Sequence, residues 1–427
     1  MRAKLTFLRA LVVGTLSGVL TSACQTYDFE PVEPVAIVQT TETRSIEARA
    51  RKPNLMLLVD TSGSMTAPVN PSLPACKVNG ATCGSSENPC DTTKCPTRWS
   101  DLQDAMSSFL DQSGTIARIG LATYPDPNDP EGLGCKASTS LKVSLPPGDV
   151  EDNASLDTNA KKVKAELLAI KNSGGALKPT GGTPTSESLK YLARLQELQG
   201  EDRADFVVLL TDGLPNCNSN YPSPFGSPGS TCFCILTGGC SDDFARAIGC
   251  LDTDASVAAV KALRNPQNEK QDIRTIVIGF GTDFKASTDA GRRGAATLQG
   301  MAVEGGFDRQ CSTNADCGAD DTCTAGRCNR RFFQAENKTQ LSEALRAIAE
   351  KVIAEAPCEL RIDPSERPTT EELVVVYLNG ERLSPGPDTW VLKEDLGIVF
   401  QGSTCAQIEA SSPSNRANIE VRAVQKR

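Results

Sequence analysis

Three short segments rich in carboxylates and hydroxyls stand out in this sequence as candidate metal-binding motifs. They are Asp60-x-Ser62-x-Ser64, Gly-Gly-Thr-Pro-Thr at residues 181–185, and Thr211-Asp212-Gly213. Their candidate ligands are two carboxylates and three hydroxyls, with no nitrogen or thiolate: Asp60, Asp212, Ser62, Ser64 and Thr183. An all-oxygen set of this kind suits a hard octahedral cation, Mg²⁺ or Mn²⁺, better than Ca²⁺. The motifs contain no basic residue, so they suit a nucleotide phosphate poorly.

The elements around these motifs predict that all three meet at one edge of a sheet. Residues 54–59 and 206–211 are continuous apolar runs, typical of buried parallel strands. Further strands are predicted at residues 117–124, 140–145, 273–279 and 332–333, and helices at 98–110, 160–170, 185–198, 255–263, 295–303 and 341–354. This alternation indicates a Rossmann-like α/β fold, with a mostly parallel central sheet and helices on both faces. Ligands in such folds bind beyond the carboxyl ends of the strands.

The order and context of the three motifs resemble the von Willebrand factor A (VWA) family over residues 54–356. Asp60, Ser62, Ser64, Thr183 and Asp212 match the five positions of that family's metal-ion-dependent adhesion site, abbreviated MIDAS. The resemblance implies that the two serines bind the metal directly and that Thr183 does so in the ligand-competent state. It implies that the two aspartates act directly or through water. With few carboxylates on it, the metal would stay electrophilic and take a carboxylate from a protein ligand or an extracellular surface.

Composition excludes several other functions. The chain of 427 residues has no histidine, which removes the Ser-His-Asp triad and imidazole general bases. It has no phosphate-binding Gly-x-x-x-x-Gly-Lys loop and no Gly-x-Ser-x-Gly elbow, and Asp60-x-Ser62 lacks the second aspartate of aspartyl-phosphate enzymes. We therefore expect a protein that is not an enzyme. A net charge of −9 with only 5% aromatic residues also argues against a nucleic-acid partner.

The N-terminus indicates export and a lipid anchor. Residues 1–23 combine basic residues with a short apolar run, as in a signal peptide. The Leu-Thr-Ser-Ala that precedes Cys24 resembles a bacterial lipobox, although a plain secretory signal is the alternative. Lipidation of Cys24 would leave sixteen of the seventeen cysteines, an even number. Residue 25 is glutamine and not the aspartate that retains many lipoproteins at the inner membrane. We expect an outer-membrane lipoprotein exposed at the cell surface, with residues 24–53 as a tether.

The remaining cysteines fall into three groups, as expected of disulfides in an exported protein. Ten lie in loops that leave carboxyl ends of strands, in insertions at residues 66–97 and 213–252 and at Cys135. These loops should surround the metal, either as a pre-organised ligand-contact rim or as protection from proteolysis. A zinc site at Cys232-x-Cys234 is not favoured. A separate knot at residues 308–330, away from the metal, contains Cys311, Cys317, Cys323 and Cys328.

The last 71 residues, 357–427, are predicted to form a small all-β module. Its hairpin signal is Asn379-Gly380 between apolar runs. Cys358 and Cys405 are its only cysteines, and we pair them because a module with a thin core benefits from a disulfide.

The whole layout is similar to the VWA lipoproteins of myxobacteria. That similarity implies a gliding-motility adhesin that contacts the membrane through its lipid anchor and works with outer-membrane or periplasmic motility-complex proteins. The alternative is an envelope scaffold whose VWA domain binds another protein of a membrane complex.

Overall fold

The structure is a computed structural model. It describes residues 41–46, 49–50, 52–128, 134–174, 177–199, 203–218, 232–233, 250–264, 272–281, 284, 289–307, 309–318, 320–354, 358–362, 368, 370–393, 397–409 and 417–426. The predicted signal peptide, Cys24, Cys234 and Cys240 lie outside these residues. Within them, no helix has both the length and the apolar character that crossing a bilayer requires.

A five-stranded parallel sheet forms the centre of the larger unit. Its strands stand in the order β5-β4-β3-β1-β2, and every neighbouring pair is parallel. Their bounds are β1 Asn54–Asp60, β2 Arg118–Tyr124, β3 Asp205–Thr211, β4 Ile273–Phe280 and β5 Phe333–Ala335. The strand predicted at residues 140–145 is reduced to an antiparallel bridge between Val143 and Leu121. The two prolines that follow it, Pro146 and Pro147, have no N–H to extend the pairing.

Helices cover both faces of this sheet. One face carries α1 (Arg98–Ser113), α2 (Asn153–Ala169) and α6 (Lys338–Ala354). The other carries α3 (Thr185–Leu192), α4 (Thr253–Arg264) and α5 (Asp289–Gly305). Because side chains alternate along a strand, the apolar run of β1 fills both cores: Leu55 and Leu57 pack on the first face, and Met56 and Leu58 on the second. The predicted α/β fold class is confirmed.

The chain reverses its winding direction at β1. The connection from β1 leads to β2 on one side, whereas the connection from β2 crosses β1 to reach β3 on the other side. In doubly wound sheets, the ligand crevice opens beside this reversal, at the carboxyl ends of the strands. Here those ends carry Asp60 on β1 and Thr211 on β3, followed by Asp212.

The knot at residues 308–330 leads into the amino end of β5, at the edge opposite to that crevice. Its disulfides join Cys311 to Cys323 and Cys317 to Cys328. The buried Arg309 guanidinium donates to the carbonyls of Cys317 at 3.0 Å and Phe332 at 3.1 Å. These bonds fasten the knot to the start of β5. A short hairpin within it pairs Cys323–Thr324 with Arg327–Cys328.

The smaller unit contains two four-stranded antiparallel sheets around a core that includes Trp390 and Phe400. The disulfide between Cys358 and Cys405 is present. The unit was predicted to be all-β. It also contains a helix, α7 (Gly402–Glu409), which follows the strand Gly397–Phe400. The strands are β6 Glu359–Arg361, β7 Val374–Leu378, β8 Glu381–Leu383, β9 Trp390–Lys393, β10 Gly397–Phe400 and β11 Ile419–Lys426.

The N-terminal segment differs from the predicted tether, which was expected to run to residue 53. Thr41–Ile46 pairs antiparallel with β11, and Arg49–Ala50 pairs antiparallel with β6. The edges of β11 and β6 would otherwise present unpaired backbone groups, and these N-terminal strands cover them. The smaller unit is therefore built from both ends of the described chain. The polypeptide passes between the two units twice, after Ala50 and after Ala354.

Candidate metal centre

The structure places all five predicted metal ligands at the carboxyl edge of the central sheet. Asp60 ends β1, and Ser62 and Ser64 follow in the turn that begins the helical segment Gly63–Thr66. Asp212 directly follows β3, and Thr183 lies in the loop that enters α3. The sheet order thus brings together side chains that are more than 150 residues apart in the sequence.

Four of these residues form one hydrogen-bonded network. The hydroxyl oxygens of Ser62 and Ser64 lie 3.0 Å apart, and the Ser64 hydroxyl donates to Asp212 Oδ1 at 2.8 Å. Asp60 Oδ1 accepts the Ser62 backbone N–H at 2.8 Å, and its Oδ2 accepts the Thr211 hydroxyl at 2.8 Å. Both oxygens of Asp60 are therefore held in position, and one oxygen of Asp212 faces the two serines.

Thr183 approaches the same network across Gly213. A methyl group at Gly213 would lie 3.5 Å from Ser64 Oγ and 3.6 Å from Thr183 Oγ1. The two hydroxyls therefore flank a point that glycine leaves without a side chain. The fifth predicted ligand borders the same site as the other four.

The spacing of these oxygens fits a small octahedral cation. Around Mg²⁺, with ligands at about 2.1 Å, neighbouring ligand oxygens are about 3 Å apart, whereas ligands at about 2.4 Å, as around Ca²⁺, are about 3.4 Å apart. The separations of 3.0 Å between the serine hydroxyls and 2.8 Å from Ser64 to Asp212 are ordinary hydrogen-bond lengths, and they also allow these oxygens to be neighbouring ligands of the smaller ion. The donor set is compatible with Mg²⁺ or Mn²⁺, with Ser62, Ser64, Thr183 and Asp212 as its holders.

The electrostatics of the site also fit a cation. Asp60 and Asp212 are fully buried, whereas Ser64 is exposed at the mouth. Burial, with the nearby charge of Asp212 as the next cause, raises the pKa of Asp60 from 3.8 to about 7. Two buried carboxylates repel each other, and a divalent cation among them would favour their charged forms.

The sequence alone did not single out Arg98, which completes the charge arrangement. Its Nη1 lies 2.8 Å from Asp212 Oδ2, and the side chain is buried. Arg98 begins α1, whose start is fixed by a capping box between Thr97 and Ser100. The guanidinium contacts Oδ2 of Asp212, the oxygen that does not face the serines. It also offsets one of the two buried negative charges, so a bound Mg²⁺ would retain net positive charge. In the sequence, the only indication of this charge-balancing role is that α1 begins with a basic residue.

Three loops hold Thr183 against the site. Its backbone N–H donates to Asn216 Oδ1 at 2.8 Å, and the neighbouring Cys217 is disulfide-bonded to Cys135. The Gly182 N–H donates to the Gly134 carbonyl at 2.8 Å. The loops after β2, before α3 and after β3 therefore support one another.

Replacing Gly181 with alanine should weaken Mg²⁺ binding about tenfold, as loss of support around metal ligands commonly does. Gly181 has a φ of +81°, and an added Cβ would lie 2.7 Å from the Gly134 carbonyl oxygen, so the loop carrying Thr183 must move. Titration calorimetry with Mg²⁺ measures this loss. Gly80→Ala is the matched control, because Gly80 has the same φ and no atom within 4 Å of the added Cβ. Equal Mg²⁺ affinities for the two variants would contradict the assigned position of Thr183.

The family models contain no match to this chain, and neither do the curated proteins. Solved structures do match it. The pilus adhesin SpaC from Lactobacillus rhamnosus GG is 12% identical at a TM-score of 0.41, over 90% of this chain and 42% of SpaC. The vWF domain of the type V pili tip protein Mfa5 from Porphyromonas gingivalis is 13% identical at a TM-score of 0.34, over 71% of this chain and 95% of that domain.

A third similar structure is the manganese-loaded TRAP protein of Plasmodium vivax, 16% identical at a TM-score of 0.29, over 60% of this chain and 67% of TRAP. The match to SpaC covers 42% of that protein, so the present chain spans less than half of its length. The function proposed below rests on the geometry of the site and not on these similarities.

The insertion at residues 66–97 borders the metal centre. Disulfides join Cys76 to Cys95 and Cys83 to Cys90, so the close approach of these sulfurs is disulfide packing and not a metal cluster. The Thr66 hydroxyl donates to the Gly63 carbonyl at 2.8 Å and also to the Gly84 carbonyl. A groove of about 490 Å³ is lined by this insertion and by residues 172–174 and 178–183. Ser64 and Thr183 are among the residues that line it.

Proposed function

We propose that the larger unit is a VWA domain whose MIDAS binds Mg²⁺ or Mn²⁺ and, through it, a carboxylate of an extracellular ligand or surface. The observation that carries the proposal is the network of Ser62, Ser64 and Asp212, whose oxygen spacing fits the edges of an Mg²⁺ octahedron. It lies where the sheet reverses its winding, the place where such folds bind ligands.

Some residues of the site would bind the ion directly, and others would position those ligands and balance their charge. Ser62, Ser64 and Thr183 contribute neutral oxygens, and Asp212 contributes one charged oxygen because Arg98 holds the other. Both oxygens of Asp60 are engaged by hydrogen bonds, so Asp60 orients the motif and balances charge. A bound metal supplies a Lewis-acidic position for a carboxylate ligand. The exposed Ser64 marks the side from which that ligand enters.

The lipobox before Cys24 and the disulfides of the described loops support an exported, lipid-anchored setting. On this basis we extend the proposal to a surface-exposed outer-membrane adhesin that acts in gliding motility with other envelope proteins. Such an adhesin would link the cell to a substratum through the metal.

The test compares attachment of cells to a solid surface between wild type and Asp60→Ala combined with Ser62→Ala. Attachment should fall to the level of cells treated with a chelator, because the variant removes a direct ligand and the carboxylate that orients the motif. Surface protease accessibility must first show equal amounts of both proteins outside the cell. The matched control combines Asp320→Ala with Ser312→Ala, two exposed residues of the knot at the opposite edge. Unchanged attachment at equal surface amounts would overturn the adhesin proposal in favour of the scaffold alternative.

A further inference from the structure

The groove beside the metal centre has walls that the metal motif itself does not provide. One wall is the disulfide-closed loop from Cys83 to Cys90, and the other is formed by residues 172–174 and 178–183. Its volume of about 490 Å³ is in the range of ligand-binding clefts, which hold roughly 300–1,000 Å³. Because Ser64 and Thr183 are among the residues that line it, a ligand that reached the metal would also contact this groove.

The charge of the groove differs from that of the chain. The chain has a net charge of −9, yet no acidic residue is among the described residues that line the groove. Lys178 is the one charged residue among them, and it is exposed. Within the described part of the chain, Lys178 forms no ion pair. A negatively charged ligand that the remaining surface would repel therefore meets an attractive group here.

The lining also favours a particular shape of ligand. Apart from Lys178, Ala67, Cys83 and two prolines, it consists of small hydroxyl and amide side chains and glycine backbone, including Ser85, Asn172 and Thr180. No aromatic ring lies among the described lining residues for a ring-shaped or planar ligand to stack on. Exposed hydroxyls, amides and backbone groups suit the main chain of an extended peptide, which needs hydrogen-bond partners along its length.

The wall formed by the insertion is rigid. The Cys83–Cys90 and Cys76–Cys95 disulfides pack against each other, with their nearest sulfurs 3.6 Å apart. The Thr66 hydroxyl joins this wall to the metal motif at Gly63. A pre-formed wall lowers the ordering cost of binding, so even a short peptide segment can gain from it.

We propose that this groove binds an acidic peptide segment that carries two carboxylates, one on the metal and a second, a few residues along the chain, on Lys178. The inference rests on the proposed metal function and specifies its ligand class. Neither carboxylate suffices for full affinity, and their spacing along the peptide sets the specificity.

The test uses the full mature chain in Mg²⁺ and C-terminally amidated Ser/Gly octapeptides, labelled at the N-terminus with an uncharged fluorophore, that carry one glutamate, or two glutamates at stepped separations. Fluorescence anisotropy should show that the best two-glutamate peptide binds about three- to fivefold more tightly than the one-glutamate peptide at low ionic strength. Lys178→Glu should abolish this advantage and leave the one-glutamate affinity within about twofold. Bound two-glutamate peptide should also protect the Lys178 amine from acetylation, read by mass spectrometry.

Lys162→Glu, an equal charge change on the exposed side of α2, is the control and should leave all affinities unchanged. Equal affinities for the two kinds of peptide, or an unchanged advantage in Lys178→Glu, would overturn the groove inference. Binding of the one-glutamate peptide that EDTA removes would still support the metal proposal in that case. If EDTA has no effect on either peptide, the proposed function and this inference both fail.

Discussion

Replacing Arg98 with glutamine should destabilise the metal-free protein by about 3–5 kcal/mol, the range for removing one partner of a buried ion pair. The pair joins Arg98 Nη1 to Asp212 Oδ2 at 2.8 Å, and both side chains are buried. Without the guanidinium, Asp212 keeps a buried charge beside Asp60, whose pKa that charge already raises. Urea unfolding in EDTA measures the loss. Mg²⁺ should restore part of it, because the ion replaces the missing positive charge.

The double variant Arg98→Gln with Asp212→Asn separates the charge effect from lost packing. It removes both members of the pair, so its stability in EDTA should recover most of the loss. It should not recover stability on addition of Mg²⁺, because a charged ligand is gone. If Arg98→Gln alone were as stable as wild type in EDTA, the arginine would not be balancing the buried carboxylates.

Replacing Cys135 and Cys217 by serine should lower both stability and metal affinity. The disulfide closes a separation of 82 residues, and such long-range bonds contribute roughly 2–4 kcal/mol. It also fixes Asn216, whose side chain holds the Thr183 backbone. Mg²⁺ affinity should therefore fall about 10- to 100-fold, as measured by titration calorimetry at a temperature where the variant is folded.

The matched control removes the disulfide between Cys358 and Cys405, which spans 47 residues of the smaller unit. This variant should also lose stability, but its Mg²⁺ affinity should equal that of wild type because the bond lies outside the α/β domain. Equal losses of Mg²⁺ affinity in the two variants would indicate a general destabilisation and contradict a positioning role for the Cys135–Cys217 bond.

The sequence predicted the central sheet because its signals are local. The apolar runs of β1 and β3 are continuous, and each ends directly in the candidate motif, so strand type and site location are read together. The five candidate ligands could be named from the order of three motifs. Their hydrogen bonds and oxygen–oxygen distances could not be predicted from the sequence, because these depend on how far neighbouring strands are shifted along one another.

Contacts between distant segments were not predictable from the sequence. Thr41–Ile46 pairs with a strand near the other end of the chain, and residues 41–46 are too polar to show the apolar alternation of a half-buried strand. Arg98 resembles any surface cation at a helix start until the fold brings Asp212 next to it. Residues 140–145 have the apolar pattern of a strand, but the prolines after them limit the pairing to a bridge.

If the proposed N-terminal lipid anchor is present, the pairing of Thr41–Ile46 with β11 has a mechanical consequence. Tension that enters from the anchor side runs along this strand, from Thr41 opposite Lys426 to Ile46 opposite Val421. The load is parallel to both strands, so the six paired positions resist it together in shear and do not open one at a time. While this ladder holds, the pull loads the smaller unit as a whole and is shared between its two connections to the α/β domain, after Ala50 and after Ala354. If an anchor precedes Thr41, the smaller unit would thus spread its pull over two chain connections, and the strand that ends in Asp60 would carry only part of it.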